Sequence, residues 1–291
     1  MSKNASDTLT VDKPCGLMEF LIEKNPGKSR TKIKAILAKR IVAVDGKVTT
    51  KFDYPLEAGQ KVSIGTFKNI QVEAGVKILY EDTWLLVVNK PAGLLSVSNP
   101  TEKDETVMAF LLDYVRKNNL KAGIYAVHRL DQFTSGIMMF AKTEEVQGIL
   151  RDAWKEYVDE RCYYAIVEGY PMPEEGTFVS WLTENSQYKV YSTRQSEEAK
   201  KAITHYKVIQ KNKNFALVEV KLDTGRKNQI RVQFSDAGHP LTGDRKYGAR
   251  TDPFKRLMLH AFSLSFTHPI TKKRLSFDTG IPRKFRELFE N

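Results

Sequence analysis

Asp131 stands in the stretch "HRLDQFTSG", two residues after Arg129. Two kinds of chemistry fit that spacing. An aspartate near an arginine can be a plain ion pair, with Arg129 or with a distant arginine. A carboxylate beside a cation also keeps its charge, and a charged carboxylate can act as a nucleophile or a base. Position favours reactivity. "TSG" reads as a turn and "GIMMFAKT" as the strand after it, so Asp131 lies at an element boundary, where sites are built. Further on, "LDTGRKNQIRVQF" brings Arg226 and Arg231 next to another turn, and "GHPLTGDRKYG" adds a third turn-rich stretch. Such loops can gather over one sheet.

Other chemistries lack their residues. There is no GxxxxGK[ST] phosphate loop and no GxGxxG dinucleotide loop. The five histidines (128, 205, 239, 260 and 268) include no HxxxH or HxH pair, so no metal site is expected. Cys15 and Cys162 form no CxxC motif, and a reducing compartment fits them. Ser135 lacks the GxSxG elbow of a nucleophilic serine. It reads instead as part of a tight Thr134-Ser135-Gly136 turn. A nuclease reading lacks paired acids for metals and a histidine pair for acid–base work.

The 291 residues allow one large domain or a small one joined to a larger one, and 41% hydrophobic residues suffice for a core. Lys and Arg outnumber Asp and Glu by 46 to 35, a net charge of +11. That excess points to a polyanionic partner, with nucleic acid ahead of a membrane. The N-terminus is polar with no signal-like apolar run, and no stretch approaches the ~20 apolar residues of a membrane span. The expectation is a cytoplasmic monomer.

The elements follow from pattern. Residues 1–12 read as a disordered tail. In 13–67, Leu17, Phe20 and Leu21 have helical spacing, and "NPG" ends that helix. Ser29 is placed to cap a second helix whose apolar face is Ile33, Ile36 and Leu37. "IVAVDGKVTT" reads as strand, Asp45-Gly46 turn, strand. The polar side of the second helix carries Arg30, Lys32, Lys34, Lys39 and Arg40, and no acid intervenes between Lys24 and Asp45. A single-sign face of this kind suits phosphates. Residues 68–77 read as a linker. From 78 to 291, the buried-strand run "WLLVVNK", a helix over 104–118 and one near 144–159 precede many strand-like segments: "GIMMFAKT", "RCYYAIVEGY", "THYKVIQ", "FALVEVKL", "QIRVQF" and "FSLSFTH". A last helix falls near 283–289. The expected class is α+β, with a large, mostly antiparallel sheet beside a small α/β domain.

Two resemblances sharpen this reading. "SRTKIKAIL…I.V.VDGK…L..GQKVSI" resembles the αL RNA-binding module named after ribosomal protein S-four. "HRLDQFTSGIMMFAKT" is similar to the HRLD..TSG....AK signature of the RluA-type pseudouridine synthases. "NKPAG", "RCYYAIVEG", "TGRKNQIRVQFSDAGHPLTGDRKYG" and "LHAFSLSFTHP" resemble that family's other motifs in the family's order, across residues 84–269. Two positions depart from the pattern: Asn228 and Gln233 stand where the family usually has His.

The second resemblance implies an RNA pseudouridine synthase that needs no cofactor or metal. Asp131 would be the catalytic carboxylate, with Arg231 as its cation and Tyr163 against the base. Arg129 would fill the stack that a flipped uridine leaves. His128, Thr134, Arg226 and Ile230 would complete the RNA contacts, with Arg30, Lys32 and Lys34 from the small domain. Structured RNA is the implied partner, large-subunit ribosomal RNA first and transfer RNA second. A non-catalytic RNA-binding or ribosome-assembly protein of the same fold is the alternative from another class.

Overall fold

The computed structural model describes residues 7–290 except 39–41, 46, 50, 65–69, 72, 99–104 and 118. The chain divides into two compact units, Met1–Ile70 and Gln71–Asn291. The division falls inside the segment read as a linker. That segment also holds part of two strands, Ile70–Gln71 and the start of Lys77–Glu81.

In the first unit the order is β1 (Asp7–Thr10), β2 (Cys15–Gly16), α1 (Leu17–Glu23), α2 (Arg30–Ala38), β3 (Val42–Val44), β4 (Lys47–Val48), β5 (Pro55–Leu56) and β6 (Lys61–Ile64). The expected tail is corrected here, because residues 7–10 form β1, which pairs antiparallel with β6. The physical reason is apolar: Leu9 packs against the core and Val11 is buried in it. Ser29 sits before α2 as read, its Oγ accepting from Lys32 N–H at 3.4 Å. Ile33 and Leu37 are buried, while Arg30, Lys32 and Lys34 lie exposed. Lys39, Arg40 and Gly46 lie outside the described residues.

The second unit is built on one large sheet. Its strands are β8 (Lys77–Glu81), β9 (Leu85–Lys90), β10 (Tyr125–Ala126), β11 (Ser135–Ala141), β12 (Val158–Glu168), β13 (Glu175–Glu184), β14 (Val190–Thr193), β15 (Lys200–Lys211), β16 (Phe215–Leu222), β17 (Leu259–Thr267) and β18 (Arg274–Asp278), and the short β7 (Ile70–Gln71) spans the division. The order across it is β14-β13-β15-β16-β12-β17-β11-β9-β8-β7, with β10 on β11 and β18 on β17. Helices α3 (Val107–Arg116), α4 (Glu144–Asp152), α5 (Trp154–Tyr157), α6 (Gln229–Asp236) and α7 (Arg283–Arg286) join and cover the strands. Val146 and Leu150 of α4 pack on Leu85, Val87, Ile137 and Met139, which explains why β9 and β11 read as unbroken apolar runs.

The central seam joins β11 to β17 in parallel, pairing Ser135 with His260 and Gly136 with Ala261. Every other described strand pairing is antiparallel. At the seam the backbones come very close. Gly136 has φ of +123°, and a Cβ there would lie 2.2 Å from the Ala261 carbonyl oxygen. Only glycine fits.

Two expected elements are corrected. "QIRVQF" was read as a strand and is helix α6. Asn228, in the left-handed conformation at φ 53°, ends the extended chain, and Gln229 Oε1 accepts from Arg226 N–H across the turn. Ile230, Gln233 and Phe234 are then buried together at helical spacing. Tertiary packing overrides the β preference of Ile and Val. The single helix read near 144–159 is two, broken at Ala153, and β12 already begins at Val158.

Candidate active site

Asp131 lies in the loop between β10 and β11. Its carbonyl accepts from Thr134 N–H at 3.1 Å, closing a tight turn. The next carbonyl, of Gln132, is tied from beneath by Gly93 N–H at 2.9 Å and by Lys90 Nζ at 2.9 Å. Lys90 has no exposed surface. Its Nζ also donates to the carbonyls of Pro91 at 3.0 Å and Leu94 at 2.7 Å. Three carbonyl acceptors match the three donors of an ammonium. Burial pushes the Lys90 pKa down to about 7, against the pull of Asp131 and with the push of Arg256.

From the other half of the sheet, α6 delivers Arg231. Its Nη1 lies 3.3 Å from Asp131 Oδ2. Its principal partner is Asp244, which accepts from Nε at 2.6 Å and from Nη2 at 2.7 Å. This fork on a carboxylate fixes the plane of the guanidinium. Burial works to lower the Arg231 pKa, and the bonds and charge of Asp244 outweigh it, so it stands above its ordinary value. Asn228 Oδ1 accepts from Nη1 at 3.0 Å while Asn228 Nδ2 donates to the Tyr247 hydroxyl at 2.9 Å. The Tyr247 ring lies 4.9 Å beneath the guanidinium. Asn228 therefore orients Arg231 through its amide, which needs no titratable proton.

Asp131 and Arg231 face a cavity of 320 Å³. His128, Arg129, Thr134, Tyr163, Arg226 and Ile230 also line it, so every residue assigned to the larger domain by resemblance meets at one place. Arg161 and Lys227 line it too, and the sequence reading had passed over both. Five cations thus surround one acid. Among the described residues no carboxylate pairs with Arg129, Arg161 or Arg226, whereas Lys227 pairs with Glu184. Arg226 is steadied by donating from Nε to the Lys201 carbonyl at 3.1 Å.

His128 and Gln233 are both held by bonds inside the fold. His128 accepts from Met139 N–H through Nε2 at 3.0 Å and packs against Trp154. Burial, then the charge of Arg161, pushes its pKa down to about 3. It is a neutral wall, with no charge to offer a phosphate. Gln233 points away from the cavity, its Nε2 donating to Ser180 Oγ at 2.9 Å and to the Ala202 carbonyl at 3.3 Å. Tyr163 is 9% exposed, and burial raises its pKa, so the hydroxyl keeps its proton.

A large mixed sheet carries Asp131 beside its parallel seam, over a cavity lined by five cations. The chain matches the RNA pseudouridylate synthase family over residues 84–236 and belongs to it. The chain is therefore an RNA pseudouridine synthase, an isomerase. Relatives span the family. An uncharacterized RNA pseudouridine synthase of Bacillus subtilis, YlyB, is 32% identical over 94% of this chain and 92% of its own. The ribosomal large subunit pseudouridine synthase D of Zymomonas mobilis is 34% identical over 74% of this chain and 72% of its own. The solved structure of human RNA pseudouridylate synthase domain containing 4 matches with a TM-score of 0.59 at 26% identity, covering 72% of this chain and 90% of that one.

Proposed function

We propose that Asp131 carries the reaction and that large-subunit ribosomal RNA is the substrate. The observation that supports the first part is Asp131 beside Arg231, facing a cation-lined cavity. Pseudouridine formation breaks the N1–C1′ bond of uridine, turns the freed uracil and joins C5 to C1′; C5 then gives up its proton and N1 gains one. The product is an isomer, so nothing is oxidised and no group departs. Asp131 either attacks C1′ or removes the C2′ proton. Both begin at a carboxylate oxygen, and the turn that ties Gln132 to Lys90 and Gly93 holds that oxygen in place. A hydrolytic glycosidase needs a second carboxyl group to manage water. Here the uracil is the second reactant, and the buried Tyr163 and Ile230 pack against it and keep water out.

A uridine in folded RNA must leave its stack to reach Asp131, at a cost of a few kcal/mol. Arg129, exposed beside the cavity, fills the gap with its planar guanidinium. Arg161, Arg226 and Lys227 hold the phosphates on either side. In the smaller unit the exposed Arg30, Lys32 and Lys34 give a second phosphate-binding face, in keeping with the S-four-like pattern. The relative from Zymomonas mobilis supports ribosomal RNA over transfer RNA.

Asp131→Asn is the direct test. The variant is expected to bind ribosomal RNA like the wild type and to form no pseudouridine by carbodiimide labelling. Substantial product would remove Asp131 from its role. Mapping pseudouridine in a deletion strain against its parent identifies the substrate, and a loss confined to transfer RNA would overturn the ribosomal assignment.

A further inference from the structure

Phe133 is 51% exposed, although it stands two residues from the reacting carboxylate. Among the described residues no aromatic ring or cation stacks on it. A phenylalanine left in water forgoes the stabilisation that burial would give, so the position calls for a partner outside the chain.

The ring is also mounted on an unusually fixed base. The turn that bears it is closed by Thr134 N–H on the Asp131 carbonyl. It is pinned at Gln132 by Lys90 and Gly93, and Thr134 and Ser135 are buried after it. A side chain on a rigid support loses little freedom when it binds. Asp131 and Thr134 line the cavity, and Phe133 between them does not. The turn therefore sets Phe133 beside the cavity, with its ring outside the lining. Arg129, which lines that cavity, is exposed and pairs with no carboxylate among the described residues. The ligand that meets a free aromatic face beside a cavity lined by unpaired arginines is a nucleic-acid base with its phosphates.

We propose that Phe133 stacks on the base next to the uridine that is turned into the cavity. This rests on Asp131 as the reacting group. Arg129 and Phe133 then have separate tasks. The guanidinium fills the space the uridine left, and the ring holds the adjoining base out of the way. Every base has a π face, so the contact tolerates sequence, and a purine offers the larger area.

The test uses the full-length protein with Phe133→Ala, Phe133→Leu and Phe133→Tyr, and a transcript of the host's large-subunit ribosomal RNA. Loss of one base stack is expected to lower kcat/KM about ten-fold in Phe133→Ala, through KM. Phe133→Tyr restores the value and Phe133→Leu does not. Melting temperatures stay at the wild-type value, because the ring is outside the core. Equal activity in all four proteins overturns the proposal, as does rescue by leucine as full as rescue by tyrosine. Should the wild type form no pseudouridine in that transcript, the substrate assignment fails. The affinities then decide Phe133: about ten-fold weaker RNA binding by Phe133→Ala supports it, and unchanged binding overturns it.

Discussion

Asp244 offers a severe test of how the site is held together. It is 2% exposed, and both its oxygens accept from Arg231, at 2.6 and 2.7 Å. Asp244→Ala removes the anion and leaves a guanidinium whose side chain is 11% exposed. Breaking a buried pair from one side typically costs about 3–5 kcal/mol. Asp244→Asn keeps one acceptor and aims an amide at a donor, so a loss of about 2–3 kcal/mol is expected. Among the described residues the freed cation has one other carboxylate in reach, Asp131 at 3.3 Å. Arg231 should close on it and occupy the reactive oxygen. Each 1.4 kcal/mol by which that grip must be loosened lowers kcat about ten-fold. Urea unfolding gives the first quantity from the midpoint at unchanged slope, and saturating turnover gives the second. A variant Asp244→Asn within about 0.5 kcal/mol of wild type, with full kcat, would refute the reasoning.

Two further outcomes follow from the seam. His260 is buried between Ser135 and Thr279, and burial, aided by Arg256, pushes its pKa from 6.5 down to about 4. The unfolded chain then binds more protons below pH 6.5, so stability is lost as the pH falls from 6.5 towards 4, by about 2 kcal/mol at pH 5. His128 acts in the same direction. Comparing urea midpoints at pH 7.5 and 5 checks this, and His260→Gln should flatten the difference. Gly136→Ala would drive a methyl group into the Ala261 backbone, and a loss of more than about 4 kcal/mol is expected in thermal unfolding.

Local pattern revealed the elements whose partners are close in sequence. The apolar run 85–90 is β9, and the helix read over 104–118 is α3, with Thr106 as its cap. Asp45 adopts the positive φ that its turn signal requires. "QIRVQF" misled because its alternation is true of the letters and irrelevant to the packing. Asn228 turns the chain just before it, and an asparagine's tolerance of that conformation is a weak signal. The site shows the same division. The motifs placed Asp131, Arg231 and Tyr163 in one cavity. Lys90 and Asp244 were quoted within motifs without a role, because their partners lie in other loops. A lysine ending a buried strand was the available hint of the first. Arg161 was hidden by its place in an apolar strand, where a cation reads as an exposed edge. β13 and β14 were missed, since half-exposed sheet residues carry little apolar signal.

The seam between β11 and β17 bears on the protein's birth. Asp131 precedes its arginine by 100 residues, and the strand that joins the two halves of the sheet comes later still, at Leu259–Thr267. A chain still being made thus has its carboxylate long before it has the guanidinium, the clamp of Asp244 or the closing strand. The order of the elements means that the two halves of the sheet, and the side chains they carry, are joined only once β17 has been made.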